Sequence, residues 1–101
     1  WSTASSGGNT TSSTTINFNT SNVFTYTLAA NTTFTLSNMQ AGGTYIVIVK
    51  QAAGTSYTAT FTSVLWTGGT APTQTATNNK YDVYTFISDG TNIFGSYIQN
   101  F

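Results

Sequence analysis

Apolar and polar residues alternate with a period of two along most of the chain after residue 15. Phe24, Tyr26 and Leu28 alternate with threonines, and segments 33–37 and 57–62 follow the same pattern. Such alternation places the apolar side chains on one face of a half-buried strand. No segment shows helical periodicity, so the pattern predicts an all-β protein.

A second kind of segment is apolar on both faces. It reads Tyr45, Ile46, Val47, Ile48 and Val49, and segments 81–87 and 93–98 are also mixed on both faces. In an antiparallel protein, such a strand lies centrally and is covered on both sides, or has one face buried by another subunit. Residues 45–49 are therefore the candidate assembly element.

Turn signals separate the strand segments. Asp89-Gly90 is typical of a type I′ hairpin, and Gly54 is expected to join segments 44–51 and 56–63 as another hairpin. Seven or eight short strands spaced by such turns predict an antiparallel β-sandwich or jelly roll.

Two stretches lack the strand pattern. Residues 1–15 are predicted as a flexible N-terminal linker or arm, because Ser, Thr, Gly and Asn dominate segment 2–15. Residues 16–101 form the predicted β-sandwich domain. A later loop, 68–79, is rich in Thr and Asn and supplies the surface-loop candidates Gly68, Gly69, Thr70 and Pro72.

Charge is nearly absent from the 101-residue chain, which has two basic and two acidic side chains, no histidine and no cysteine. Acid–base catalysis and metal binding depend on the missing residue types, so we expect no enzyme activity, no cofactor and no metal site. Zero net charge argues against nucleic acid as a partner. No apolar run reaches the ~20 residues that span a bilayer, whereas near-zero charge favours association.

The two carboxylates have ordinary structural interpretations. Asp89 is expected to be the turn residue before Gly90. Asp82 lies two positions after Lys80, and this spacing predicts a local ion pair on one face of a strand.

Pairs of threonines separated by one residue recur along the chain, as in segments 25–27, 33–35, 58–62 and 73–77. A flat, regular array of such pairs would order water and bind ice. Their irregular spacing and the lack of a solenoid repeat favour ordinary solvent-facing strand threonines instead.

Several short pieces occur in a characteristic order between residues 32 and 101. They are Asn31 to Asn38, Ala41 to Tyr45 with Lys50-Gln51, Leu65 to Pro72, Asn79 to Asp82 leading to Phe86, and Asp89 to Asn92 followed by Gly95. In this order and spacing, the chain resembles the C-terminal β-rich domain of bacteriophage tail-fibre and related virion structural proteins. It has Thr67 where that family often has proline after the tryptophan.

The resemblance implies a module exposed on the virion surface, outside the cell, usually trimeric and joined to other virion proteins. The sequence is therefore interpreted as a non-enzymatic virion structural module, a tail-fibre tip or a particle-surface decoration. We expect it to self-associate and to contact host cell-surface glycans through loop 68–79. The alternatives are an extracellular filament subunit that donates its N-terminal arm as a strand, and a carbohydrate-binding module with an exposed row of aromatic rings.

Overall fold

The computed structural model describes residues 4–101, and its regular elements in this range are strands and one 3-10 turn at Thr67–Gly69. The strands are β1 Ala4–Asn9, β2 Ser13–Asn17, β3 Val23–Thr27, β4 Thr32–Ser37, β5 Thr44–Lys50, β6 Ala59–Phe61, β7 Leu65–Trp66, β8 Tyr81–Ser88 and β9 Ile93–Ile98. The prediction of an all-β protein is confirmed.

The strands form two sheets, one of six strands in the order β1-β3-β5-β8-β9-β7 and one of three in the order β2-β4-β6. From β1 to β6 the chain alternates between the sheets, and each strand pairs in parallel with the strand two elements later. Three stacked coils result, so this part is a short parallel solenoid. The antiparallel prediction is wrong here, because antiparallel pairing is confined to β5–β8 and β8–β9.

Unequal coil lengths hide this repeat in the sequence. Ser13 pairs with Thr33, 20 positions later, but Thr32 pairs with Ala59, 27 positions later. A fixed period is the usual signature of a solenoid, and the loop between β5 and β6 destroys it. The hairpin expected around Gly54 does not form, because β5 and β6 lie in different sheets.

Residues of the same type stack between successive coils. Thr33 pairs with Thr60, and Phe34 pairs with Phe61 so that their rings stack at 4.9 Å. A slip of one residue would turn every side chain of a strand to the opposite face. The buried aromatic partners therefore specify the register of the coils.

The first coil lies inside the segment predicted as a flexible linker. Residues 4–9 and 13–17 form β1 and β2, while residues 1–3 of that segment lie outside the described residues. The polar sequence of residues 4–15 did not reveal these strands, because this segment has no large apolar side chains and joins the fold through backbone ladders to β3 and β4. Gly7 is needed in β1, because a Cβ there would collide with the ring of Tyr26.

The core lies between the two sheets and is largely aromatic. From the three-stranded sheet, Phe61 contacts Tyr84 and Phe86 of β8, with ring centroids 4.7 and 5.1 Å apart. Phe34 of β4 contacts Tyr26 of β3 at 5.4 Å. Rings from both sheets thus pack against each other in the offset and edge-on arrangements that aromatic pairs prefer.

The hairpin predicted at Asp89-Gly90 joins β8 and β9 and is confirmed. Its turn is of another type than expected, since Gly90 has a φ of 94° but Asp89 lies outside the left-handed region that a type I′ turn would need. The Asp89 carboxylate instead accepts backbone N–H bonds from Thr91 and Asn92, at 2.8 and 2.6 Å.

Candidate functional site

Strand β5, the candidate assembly element, has two different faces. Tyr45, Val47 and Val49 are buried in the core, whereas Ile46 and Ile48 point to the opposite side of the six-stranded sheet and are half-buried. Both neighbours of β5 belong to its own chain, β3 on one side and β8 on the other. Only Ile46 and Ile48 of the five residues can therefore meet another subunit.

The ladders place further apolar side chains on the same side of the sheet, where Ile48 pairs with Val83 and Ile46 pairs with Thr85. Leu65 pairs with Phe94, which pairs with Ile87, and Val83 pairs with Ile98. Paired residues share a face of the sheet, so all of them lie on the side away from the core. We call this surface the outer apolar face, and its members are Ile46, Ile48, Leu65, Tyr81, Val83, Ile87, Phe94 and Ile98.

Large apolar side chains are usually buried, but several of those on the outer apolar face are exposed. Ile98 is 66% exposed, Leu65 52%, Ile87 49% and Phe94 45%. Thr85 and Ser96 lie between the two rows of apolar residues on this side, and exposed apolar patches bordered by polar residues mark interaction sites. The pattern in segments 81–87 and 93–98, mixed on both faces, was the sequence signal for it, but it did not show which residues lie side by side.

A shallow hollow of about 300 Å³ lies at the β1–β3–β5 corner of the same sheet. Small residues such as Ser6 and Thr27 line it, and Lys50 and Tyr81 stand at its side, with the Lys50 Nζ 5.7 Å from the Tyr81 ring centroid. The hollow thus gives the face a polar corner next to its apolar part.

The three-stranded sheet presents the opposite kind of surface. Its outward side chains are Ser13 and Thr15 of β2, Thr33 and Thr35 of β4, and Thr60 of β6, all exposed. Ser13 pairs with Thr33, which pairs with Thr60, and Thr15 pairs with Thr35. We call these five residues the threonine ladder.

The loop between β7 and β8 is anchored at its base and exposed at its tip. Gly68, Gly69 and Thr70 are exposed and Pro72 is half-buried. Both glycines have positive φ, 74° and 79°, the conformation that glycine adopts without strain.

A buried carboxylate holds the base of this loop. Asp82 is fully buried and accepts hydrogen bonds from the backbone N and Oγ1 of Thr75, at 2.7 and 2.6 Å. It also accepts from Gln99 Nε2 and Asn100 N, at 3.1 and 3.0 Å. The ion pair predicted with Lys80 is wrong, because Asp82 faces the interior and Lys80 is exposed before β8.

Three more buried side chains, those of Tyr84, Gln74 and Gln51, complete this cluster. Tyr84 donates its hydroxyl to Gln74 Oε1 at 2.6 Å, and Gln51 donates through Nε2 to the Thr75 carbonyl at 2.9 Å. Burial, and then the negative charge of Asp82, hold the pKa of Tyr84 well above its usual range. Sequence reasoning missed this cluster, because nothing in the spacing of Gln51, Gln74 and Asp82 distinguishes buried polar residues from exposed ones.

The described residues offer little reactive chemistry. No group of three or more His, Cys, Asp or Glu side chains lies together among them. The described part of the chain also contains no helix long and apolar enough to cross a membrane.

No protein-family model, no curated protein and no solved structure matches the sequence.

Proposed function

We propose that this chain is a non-enzymatic structural module that self-assembles through the outer apolar face. In line with the resemblance of residues 32–101, its setting is a virion surface, as a tail-fibre tip or decoration. In this proposal the module is sandwich-like, with the six-stranded layer turned toward its copies. The observation that carries the proposal is the exposure of Ile98, Leu65, Ile87 and Phe94 on one sheet face.

The size of the face suits a stable contact. With strands ~4.8 Å apart and ~3.3 Å per residue, the whole outer side of the six-stranded sheet, which includes the outer apolar face and the polar β1–β3 part beside it, covers on the order of 600 Å². Two such faces bury about 1,200 Å² in total, at the lower end of specific interfaces. Lys50 is the charged residue of the six strands on this side, so like-charge repulsion between copies is small.

In this proposal the loop between β7 and β8 makes contacts outside the assembly. A homotrimer formed through this face leaves the tip of the β7–β8 loop, Gly68 to Thr70, in contact with solvent. We propose that this tip meets host surface glycans through hydrogen bonds from its backbone and from the Thr70 hydroxyl. The anchoring of Thr75 by Asp82 keeps the base of the loop fixed while the tip stays exposed.

Two observations favour this module over its alternatives. Strand donation by an N-terminal arm would require β1 and β2 to leave their own ladders, which disfavours the filament subunit. A carbohydrate-binding module with a row of rings is disfavoured because Tyr97 pairs with the inward-facing Tyr84, on the opposite side of the sheet from Tyr81.

Sedimentation of the purified chain over a wide concentration range tests the proposal. We expect an oligomer, with a trimer as the specific expectation, that dissociates in the Ile87→Lys/Ile98→Lys variant. The matched control is Thr35→Lys/Thr60→Lys, which places the same charges on the three-stranded sheet and should leave the oligomer intact. A wild-type chain that remains a compact monomer at high concentration would refute self-assembly.

A further inference from the structure

The threonine ladder combines three features that point to a ligand with a regular lattice. Its hydroxyls stand in register across three parallel strands, at positions 13, 33 and 60 and again at 15 and 35. Strands lie ~4.8 Å apart and alternate residues along a strand are ~6.6 Å apart, so the hydroxyls form a two-dimensional lattice. Oxygen atoms on the surfaces of hexagonal ice repeat at comparable distances. We propose that the threonine ladder is an ice-binding surface.

The side chains of the ladder are held in place from below. Buried residues lie next to the ladder positions, with Ile16 after Thr15, Phe34 between Thr33 and Thr35, and Phe61 after Thr60. The branched Cβ of threonine restricts χ1, and sheets stabilised by stacked side-chain ladders can be unusually flat. In this proposal the restricted rotamers order the hydroxyls before any ligand arrives, which lowers the entropic cost of binding.

The ladder hydroxyls are available to water. Each of the five residues is exposed, and the described residues supply no hydrogen-bond partner for the side-chain oxygens of Ser13, Thr15, Thr33, Thr35 or Thr60. By contrast, the neighbouring Thr62 donates its hydroxyl to the Phe34 carbonyl at 3.3 Å. A hydroxyl both donates and accepts, so the free ones can replace water molecules at a crystal surface.

The surface around the threonine ladder is uncharged, which suits binding to an uncharged lattice. All four charged residues lie away from it, with Lys50 and Asp82 in the six-stranded sheet and Lys80 and Asp89 in loops next to β8. No ionic side chain on β2, β4 or β6 would therefore hold its own hydration shell between the ladder and ice. The ladder also points away from the outer apolar face, so the inference does not depend on the proposed assembly.

Inhibition of ice recrystallisation by the purified chain tests the inference. We expect the wild-type chain to slow crystal growth, and Thr33→Lys/Thr35→Lys to need at least about tenfold more protein, equivalent to ~1.4 kcal/mol of binding. The control is Thr91→Lys/Asn92→Lys, which places the same charges in the exposed turn between β8 and β9, away from the ladder, and should shift the effective concentration less than about twofold.

Melting curves establish that each variant is folded, and Thr60→Lys replaces the double variant if the latter is not. Incorporation of fluorescently labelled protein into a slowly growing ice hemisphere gives a second, independent readout. Ice growth unaffected by the wild-type chain overturns the inference. Equal losses in the ladder variant and in the Thr91/Asn92 control overturn it as well, because they would show an effect unrelated to the threonine ladder.

Discussion

The parallel coils β1–β6 and the antiparallel hairpin β8–β9 obtain their register in different ways. In the coils, pairing residues are distant in sequence, as Phe24 and Val47 are, and stacked core residues align them. In the hairpin, a four-residue loop beginning at Asp89 joins the pair Ser88 and Ile93. Local turn chemistry can specify the second register but not the first. Substitutions in the core should therefore destabilise the coils most, and substitutions in the turn should affect the hairpin.

The largest expected effect is that of Phe34→Ala in the second coil. Phe34 is fully buried against Tyr26 and Phe61, and removal of a buried phenylalanine costs about 3–5 kcal/mol. Chemical denaturation at low protein concentration measures the loss. The matched control is Phe94→Ala, at a ring that is 45% exposed on the outer apolar face, where we expect a much smaller change. Equal losses would contradict the assignment of Phe34 to the shared core.

The two carboxylates provide the next test. Asp82→Asn places an amide N–H₂ opposite donors from Thr75, Gln99 and Asn100, and we expect a loss of about 2–3 kcal/mol from unsatisfied buried groups. Asp89→Asn is the matched control, because Asp89 is exposed in the turn, and its loss should be distinctly smaller. The free energy of unfolding of both variants measures these losses. An Asp82→Asn variant as stable as the wild type would show that the carboxylate does not anchor the loop.

A smaller effect is expected at the hairpin turn. Gly90 has a φ of 94°, and an added Cβ would lie 3.0 Å from the Cβ of Ala41. Gly90→Val should therefore cost about 1–2 kcal/mol of backbone strain. Thr91→Val, at the next position with an ordinary φ, controls for the added apolar group. An unchanged melting temperature for Gly90→Val would mean that the turn does not constrain the hairpin.

The difference between the coils and the hairpin also explains which parts of the fold could be predicted from the sequence. Alternation in segments such as 24–28 identified strands and inward-facing residues, and Asp89-Gly90 identified the hairpin, because these signals are local. Parallel stacking left no fixed period, since the third coil carries the loop after β5. The outer apolar face was visible only in part, through segments 45–49, 81–87 and 93–98, because the proximity of Leu65, Phe94 and Ile87 depends on ladders between distant segments.

The smallest expected effects are those of pH, and their direction follows from the tyrosines. Burial, and then the charge of Asp82, raise the pKa of Tyr84, and burial raises the pKa of Tyr26, above the usual value of 10.0. The folded state therefore keeps protons that the unfolded chain releases above about pH 10, so stability is full below that pH and falls above it.

On the acid side, backbone N–H bonds from Asn92 and Thr91 lower the pKa of Asp89. Its contribution is present above the unfolded value of 3.8 and is lost as pH falls through the lower folded value. Because the chain has no histidine, we expect the melting temperature to be nearly flat from about pH 5 to 8 and to fall above about pH 10. In Tyr84→Phe, the alkaline fall should be weaker although the variant starts less stable. A steep fall between pH 5 and 8 would instead indicate a bound ion or charged partner.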